Sequence, residues 1–278
     1  MNIYYLNHSG EKIILDRFPI AIQNPESIFA HEWSFKSEVG AKNGGNITKF
    51  SKNIITKKVT LSVWAESKEN FDSIMSGFSE ITEKDVLSMT PGKLFVNEYY
   101  MKCYIYASSY SEYEEDFYTT DKDIQIVTEY PFWIKEESFS FYKNNDDDVL
   151  PGYDYPYDYL YDYTHDKTVN TFENSHYAPC EFSMTIYGPC SNPSVKINGN
   201  VYELKTILYQ NEYVIIDSAA ATIIKHGYRG DKINIFNSQR KDFDIFKKID
   251  PGLVTVNWNN DFGFDITLYN ERSEPRWK

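Results

Sequence analysis

Cysteine is scarce in this 278-residue chain: Cys103, Cys180 and Cys190 are an odd number without Cys-x-x-Cys spacing. That disfavours both a disulfide framework and a zinc knuckle, and leaves small buried thiols as the expectation. Long apolar runs are also missing, so no segment reads as a membrane span. The opening MNIYYLNHSGEKIILDRF has neither the basic start nor the unbroken apolar stretch of a secretory signal, which implies synthesis in the cytoplasm. Positive charge is short as well. Against 41 Asp and Glu stand 28 Lys and Arg, a formal net charge of −13. A protein that grips nucleic acid needs the opposite balance to neutralise phosphates, so no specific nucleic-acid binding is expected.

Catalytic signatures are missing too. His31-Glu32 begins like a zinc-protease motif, but Phe35 stands where the second histidine belongs. Gly40–Gly45 (GAKNGG) lacks the Gly-Lys-Ser/Thr that reaches phosphate and magnesium, and reads as a flexible loop. There is no Gly-x-Ser-x-Gly elbow, and His8, His31, His165, His176 and His226 are scattered. With so many carboxylates, pairs at glycosidase separation arise by chance and carry little information. Arg229-Gly230-Asp231 fits ordinary turn chemistry better than an adhesion tripeptide. Asn46-Ile47-Thr48 and Asn7-His8-Ser9 match the glycosylation pattern but carry no meaning without a secretory signal. The expectation is a protein that is not an enzyme, with no catalytic residues, no cofactor and no metal.

What the chain has in quantity is aromatic side chains, 24 Tyr and 18 Phe, which favour sheets. Lys57–Ala65 alternates Val59, Leu61, Val63 and Ala65 against Thr60 and Ser62, a half-buried strand with Trp64 on its other face. A helix follows, capped by Ser67, with Glu69 in its first turn and Phe71, Ile74, Met75 and Phe78 in one stripe. Pro91-Gly92 turns the chain into Lys93–Ser108, a strand or a bent pair, and Ile124 and Ile126 mark another strand. Tyr130-Pro131-Phe132-Trp133 then breaks the pattern, and the domain boundary is placed there. Beyond it, Cys180, Phe182, Met184 and Ile186 alternate, and Asn198-Gly199 between two short runs is a strong hairpin signal. Strands are also expected at Tyr213–Ile216, Ala221–Lys225 and Lys232–Phe236, then through Val254, Val256 and Trp258, and finally through Phe262, Phe264, Ile266 and Leu268 after the turn Asn259-Asn260-Asp261. Such spacing describes a β-sandwich, with Trp133 and Trp258 as core residues.

Between the two halves, every second residue is tyrosine: Tyr153, Tyr155, Tyr157, Tyr159, Tyr161 and Tyr163, with Asp154, Pro156, Asp158, Leu160 and Asp162 in the gaps. Extended chain would put the phenols on one wall, and Pro156 excludes a helix. This is a candidate contact arm. A calcium site on Asp154, Asp158 and Asp162 is disfavoured, because carboxylates four residues apart stand about 13 Å from each other in extended chain. The Asp146-Asp147-Asp148 run does not open an EF-hand either, since Tyr157 occupies the twelfth position.

The amino-terminal sheet with one helix, the Tyr-Pro-Phe-Trp junction, the tyrosine arm and the closing FGFDITLYNERSEPRWK together resemble the distal tail (Dit-like) proteins of siphophages and prophages of Gram-positive bacteria. The resemblance implies a mainly β fold with two β-sandwich-like domains, the first carrying one α-helix on its sheet and the second galectin-like. It implies a ring-forming domain at residues 1–131, a sandwich at 132–268 and a tail, 269–278, returning to the first domain. It further implies a virion structural protein of the tail, a homo-oligomeric ring, usually a hexamer, that joins the tail tube to the baseplate and lets DNA pass. Tail tube protein, tape-measure protein and a tail-tip lysin or receptor-binding protein would be its partners. The acidic surplus suits a duct wall that repels its cargo. The competing readings are a carbohydrate-binding β-sandwich module or adhesin, and a tail-associated hydrolase for which no signature appears.

Overall fold

A computed structural model describes residues 1–40, 43–114, 118–143 and 170–276, with the backbone alone for 111–114. The chain divides into two compact units, Met1–Lys135 with Glu271–Lys278, and Glu136–Asn270. Both are built from antiparallel strands, and one α-helix is present among the described residues. That helix is not long and apolar enough to cross a membrane.

In the first unit, Ile55–Trp64 pairs with Thr119–Thr128, which pairs in turn with the long strand Tyr99–Glu114. The alternation read from sequence is realised: Val59, Leu61 and Val63 are buried on one face, and Ile124 and Ile126 join them. Gly92–Val96 and Tyr99–Glu114 form a bent pair closed at Asn97, which takes the left-handed conformation (φ 53°) that asparagine tolerates. Ile3–Leu6 adds to Gly92–Val96, and Lys12–Ile14 adds to Ile3–Leu6.

The helix Lys68–Ser88 covers this apolar face. Ser67 accepts the Asn70 amide hydrogen at 3.2 Å, and Glu69 sits in the positive first turn. Phe71 and Phe78 are buried, while Ile74 and Met75 pack at the margin of the same core. Trp133 closes that core, with its ring edge on Phe29 at 6.2 Å.

The second unit is a sandwich of two sheets. One orders Asn170–Asn174, Gly252–Asn257, Ser194–Ile197 and Asn200–Glu203; the other contains Lys232–Asn234, Thr222–His226, Tyr213–Asp217, Glu181–Tyr187 and Phe264–Arg272. Asn198 (φ 46°) and Gly199 (φ 87°) make the expected two-residue hairpin turn. Phe182, Met184 and Ile186 from one sheet face Val195, Val254 and Val256 from the other in one core. Phe264 lies at its centre, stacked on Phe141 at 4.7 Å and met edge-on by Trp258 at 5.3 Å. Trp258 also spends its indole hydrogen on the Phe262 carbonyl at 3.0 Å. Both tryptophans named as core residues are therefore buried, and neither is free to stack on a sugar.

Two expectations are corrected. The strand expected at Lys232–Phe236 stops at Asn234, whose side-chain oxygen takes the Phe236 amide at 2.9 Å and starts a short 3-10 turn, Phe236–Ser238. Of the three thiols, Cys103 and Cys180 are buried, but Cys190 is half-buried. Burial pushes the Cys103 thiol up to about 12.

Phe264→Ala removes the ring at the meeting point of three aromatic side chains, and should lower the stability of the second unit by about 3–5 kcal/mol. Urea denaturation followed by tryptophan fluorescence measures this.

Candidate functional site

One element of the first unit is built unlike the rest. Ser34–Val39 and Gly45–Ser51 form a two-stranded hairpin that, among the described residues, pairs with no other strand. At the end of the hairpin the Gly40 amide donates to the Gly44 carbonyl at 3.3 Å. Gly44 has φ 105°, and a Cβ on Gly45 would run into the Glu38 carbonyl, so both positions demand glycine.

Its register contains one irregularity, between Lys36 and Ser37. Phe35 lies opposite Phe50, Ser37 opposite Ile47 and Val39 opposite Gly45, whereas Lys36 lies opposite Lys49 and Glu38 opposite Asn46. Thr48 is the extra residue, and its hydroxyl hydrogen-bonds the Lys36 carbonyl at 3.2 Å. Without that bulge, Ile47 would point to the polar side. With it, one face carries Phe35, Phe50, Ile47 and Val39, and the other carries lysine, glutamate and asparagine.

The apolar face is bare. Phe35 is 61% exposed, Phe50 57%, Ile47 54% and Val39 93%. Phe35 and Phe50 contact each other at 6.5 Å between ring centres. An isolated two-stranded hairpin is marginal in water, and a contiguous apolar face of this kind marks an interaction surface.

The hairpin root is held by cation and ring contacts. Lys52 donates to the Pro131 carbonyl at 2.8 Å and lies over the rings of Phe132 (4.3 Å) and Trp33 (5.1 Å). Lys57 donates to the Ala30 carbonyl nearby. The Glu271–Lys278 segment belongs to this unit: Tyr130 donates to Glu271 at 2.7 Å, and His31 meets Glu274 at 2.8 Å. His31, read as half of a failed zinc motif, is thus a hydrogen-bond partner of Glu274.

The other candidates separate clearly. His8 holds Asp85 at 2.5 Å through Nδ1 and Ser9 at 3.1 Å through Nε2, a Ser–His–Asp chain that sequence reasoning did not find. His8 and Ser9 are adjacent but Asp85 lies 77 positions away from His8, so no spacing signals the set. Yet the nearby amides are spent: Ser9 and Glu11 donate to the Asn7 side chain, and Gly10 donates to the Asn7 carbonyl. These three amides are therefore not available as oxyanion donors. Asp85 is fully buried and also accepts from Tyr5 at 2.5 Å; burial, then the Cys103 and Asp85 charges and that bond, push the Tyr5 phenol far up. This is a structural tie between strand and helix.

His176 packs on Tyr177, and His226 stacks on Tyr213 at 4.5 Å. Arg229-Gly230-Asp231 closes a hairpin turn, with Gly230 at φ 85°. The tyrosine arm Tyr153–Tyr163, Asp146–Asp148 and His165 lie outside the described residues.

Burial lowers the Lys52 pKa from its ordinary 10.5 to about 8, with Lys57 adding to the shift and Glu274 opposing it. The unfolded chain then binds more protons than the folded one between those values, so folding gains stability as pH rises from about 8 towards 10.5. Lys52→Met should abolish this component. Thermal melts of both proteins across that range should converge or cross as pH rises, and parallel profiles would show that Lys52 titrates normally.

Comparison with protein-family models finds no match, and neither does comparison with curated proteins. Solved structures do match. The Dit protein of phage SPP1, described as a paradigm of the hub adsorption apparatus in phages infecting Gram-positive bacteria, aligns over 98% of both chains with a TM-score of 0.59 and 8% identity. A chain of the phage P2 baseplate in its activated conformation with calcium aligns over 99% of both chains, at a TM-score of 0.63 and 14% identity. The strontium-bound form of that baseplate gives a TM-score of 0.59 over the same share. At such identities the likeness speaks for fold, and it spans both units: the chain has the mainly β, Dit-like fold of phage tail-hub proteins.

Proposed function

We propose that this chain is a structural hub protein of a phage tail, placed in the virion between tail tube and baseplate and acting without catalysis. The end-to-end match to a hub protein and to a baseplate chain carries this reading. The finer picture is a homo-oligomeric ring, hexameric in the reading offered from sequence, with a central passage for DNA and contacts to tube, tape-measure and tail-tip proteins. It assembles in the bacterial cytoplasm.

The bare hairpin supports the ring. Its apolar face needs cover, and the occupant we assign is the first unit of a second copy. A hairpin of one copy lying on a different patch of the next is a head-to-tail contact, the kind that closes into rings. The opposed Lys36 and Lys49 on the polar face discourage stacking from that side.

Electron microscopy of the purified protein should show rings with a central hole, and native mass spectrometry at several concentrations should show the matching oligomer. Phe35→Ser with Phe50→Ser should weaken association at least about ten-fold, equivalent to about 1.4 kcal/mol. A protein that stays monomeric inside assembled tails sinks the ring. Turnover of peptidoglycan or host polysaccharide, abolished by one carboxylate substitution, would favour the hydrolase reading instead.

A further inference from the structure

The buried face of Thr119–Thr128 reads Thr120, Lys122, Ile124, Ile126 and Thr128. Alternation reserves these positions for core side chains, and Lys122 obeys the pattern with a charge: it is 2% exposed. Its ammonium lies 4.8 Å from the Phe78 ring centre and 5.2 Å from that of Tyr110. Among the described residues it makes no ion pair and no hydrogen bond. Two ring faces offset part of the cost of burying the cation, but they supply no counter-charge. Burial alone pushes the amine pKa down.

Beside this side chain, between the helix and the sheet, is a cavity of about 260 Å³. Phe78, Val86 and Ile105 give it apolar walls. The hydroxyls of Thr82 and Tyr106 also line it, but they are committed elsewhere: Thr82 donates to the Phe78 carbonyl at 3.0 Å and Tyr106 to Gln125 at 2.7 Å. Glu83, the carboxylate on the wall, is exposed, and its charge has no part in the Lys122 shift. The cavity therefore offers one unmatched positive charge in an otherwise half-apolar chamber.

We propose that this cavity binds a single carboxylate on a short aliphatic stem. One ammonium matches one negative charge, whereas a phosphate dianion would keep an unbalanced charge inside. A water occupies about 30 Å³ of liquid, so this half-open cavity has room for about nine non-hydrogen atoms and admits a short branched acid. Two sources share this chemistry, a free branched short-chain acid and the side chain of a glutamate from another polypeptide. The proposal does not depend on the ring.

Isothermal titration of the purified full chain with sodium isovalerate tests it, with isovaleramide as the uncharged isostere. Saturable one-to-one binding of isovalerate is expected, at least ten-fold tighter than isovaleramide. Lys122→Met should reduce isovalerate affinity at least ten-fold without lowering the melting temperature. Val86→Phe, which keeps the ammonium but fills the chamber, should abolish binding too, and serves should Lys122→Met fail to fold. Tighter binding of N-acetylglutamate α-amide than of isovalerate assigns the site to a polypeptide side chain; the reverse order assigns it to a free acid. Absence of saturable isovalerate binding, or equal binding by isovaleramide or by a folded Lys122→Met protein, overturns the proposal.

Discussion

A strand that is apolar on one side must have that side covered, and most of this molecule follows from meeting that demand. In the second unit the two sheets cover each other, with Met184 and Ile186 facing Val254 and Val256. In the first, the helix does it, by laying Phe71 and Phe78 onto Val59, Leu61 and Ile124. The Ser34–Ser51 hairpin meets the demand only halfway. Its bulge gathers Phe35, Phe50, Ile47 and Val39 onto one face, and that face stays open. A sequence that sorts its side chains so well and then leaves them wet makes sense when the cover is intermolecular.

The helix can act as a lid because it is pinned at its far end. Asp85, fully buried near its carboxyl terminus, accepts from the Tyr5 hydroxyl and from both the backbone and the ring of His8. Gly92 is forced by the same arrangement, since a side chain there would occupy the space of Asp85 and the Tyr5 hydroxyl. The cluster looks like catalytic machinery in its distances, yet Tyr5, His8 and Asp85 are engaged in holding the amino-terminal segment to the helix. A buried carboxylate satisfied by three donors is a stable tie, and removing any one of them would leave charge unsatisfied in the core.

Much of this was legible in the sequence because it rests on local periodicity. The cap at Ser67, the stripe through Phe78, the alternation from Phe182 to Ile186 and the Asn198-Gly199 turn depend on neighbours in sequence, and the structure realises each. The exposed hairpin was not legible. Its second strand carries a bulge, so Ile47 and Phe50 fall out of strict period 2, and the glycine-rich stretch between the strands reads as a loop. Asn234 shortened its strand by capturing a backbone amide two residues on, a competition that propensity does not reveal. Lys122 was hidden for the opposite reason: the alternation through Ile124 and Ile126 extends to it, but a lysine in a strand reads as a solvent-facing residue.

Burial depresses three lysines in the first unit, Lys52, Lys57 and Lys122, and the first and last of them separate structural charge from unspent charge. Lys52 has a carbonyl, two ring faces and the nearby Glu274 carboxylate, so its ammonium is accounted for by the unit that holds it. Among the described residues Lys122 has ring faces alone. Both sit in a strongly acidic chain, where carboxylates are abundant and a counter-ion would be easy to place. Lys122 instead borders a cavity, where the proposed carboxylate would supply the matching charge.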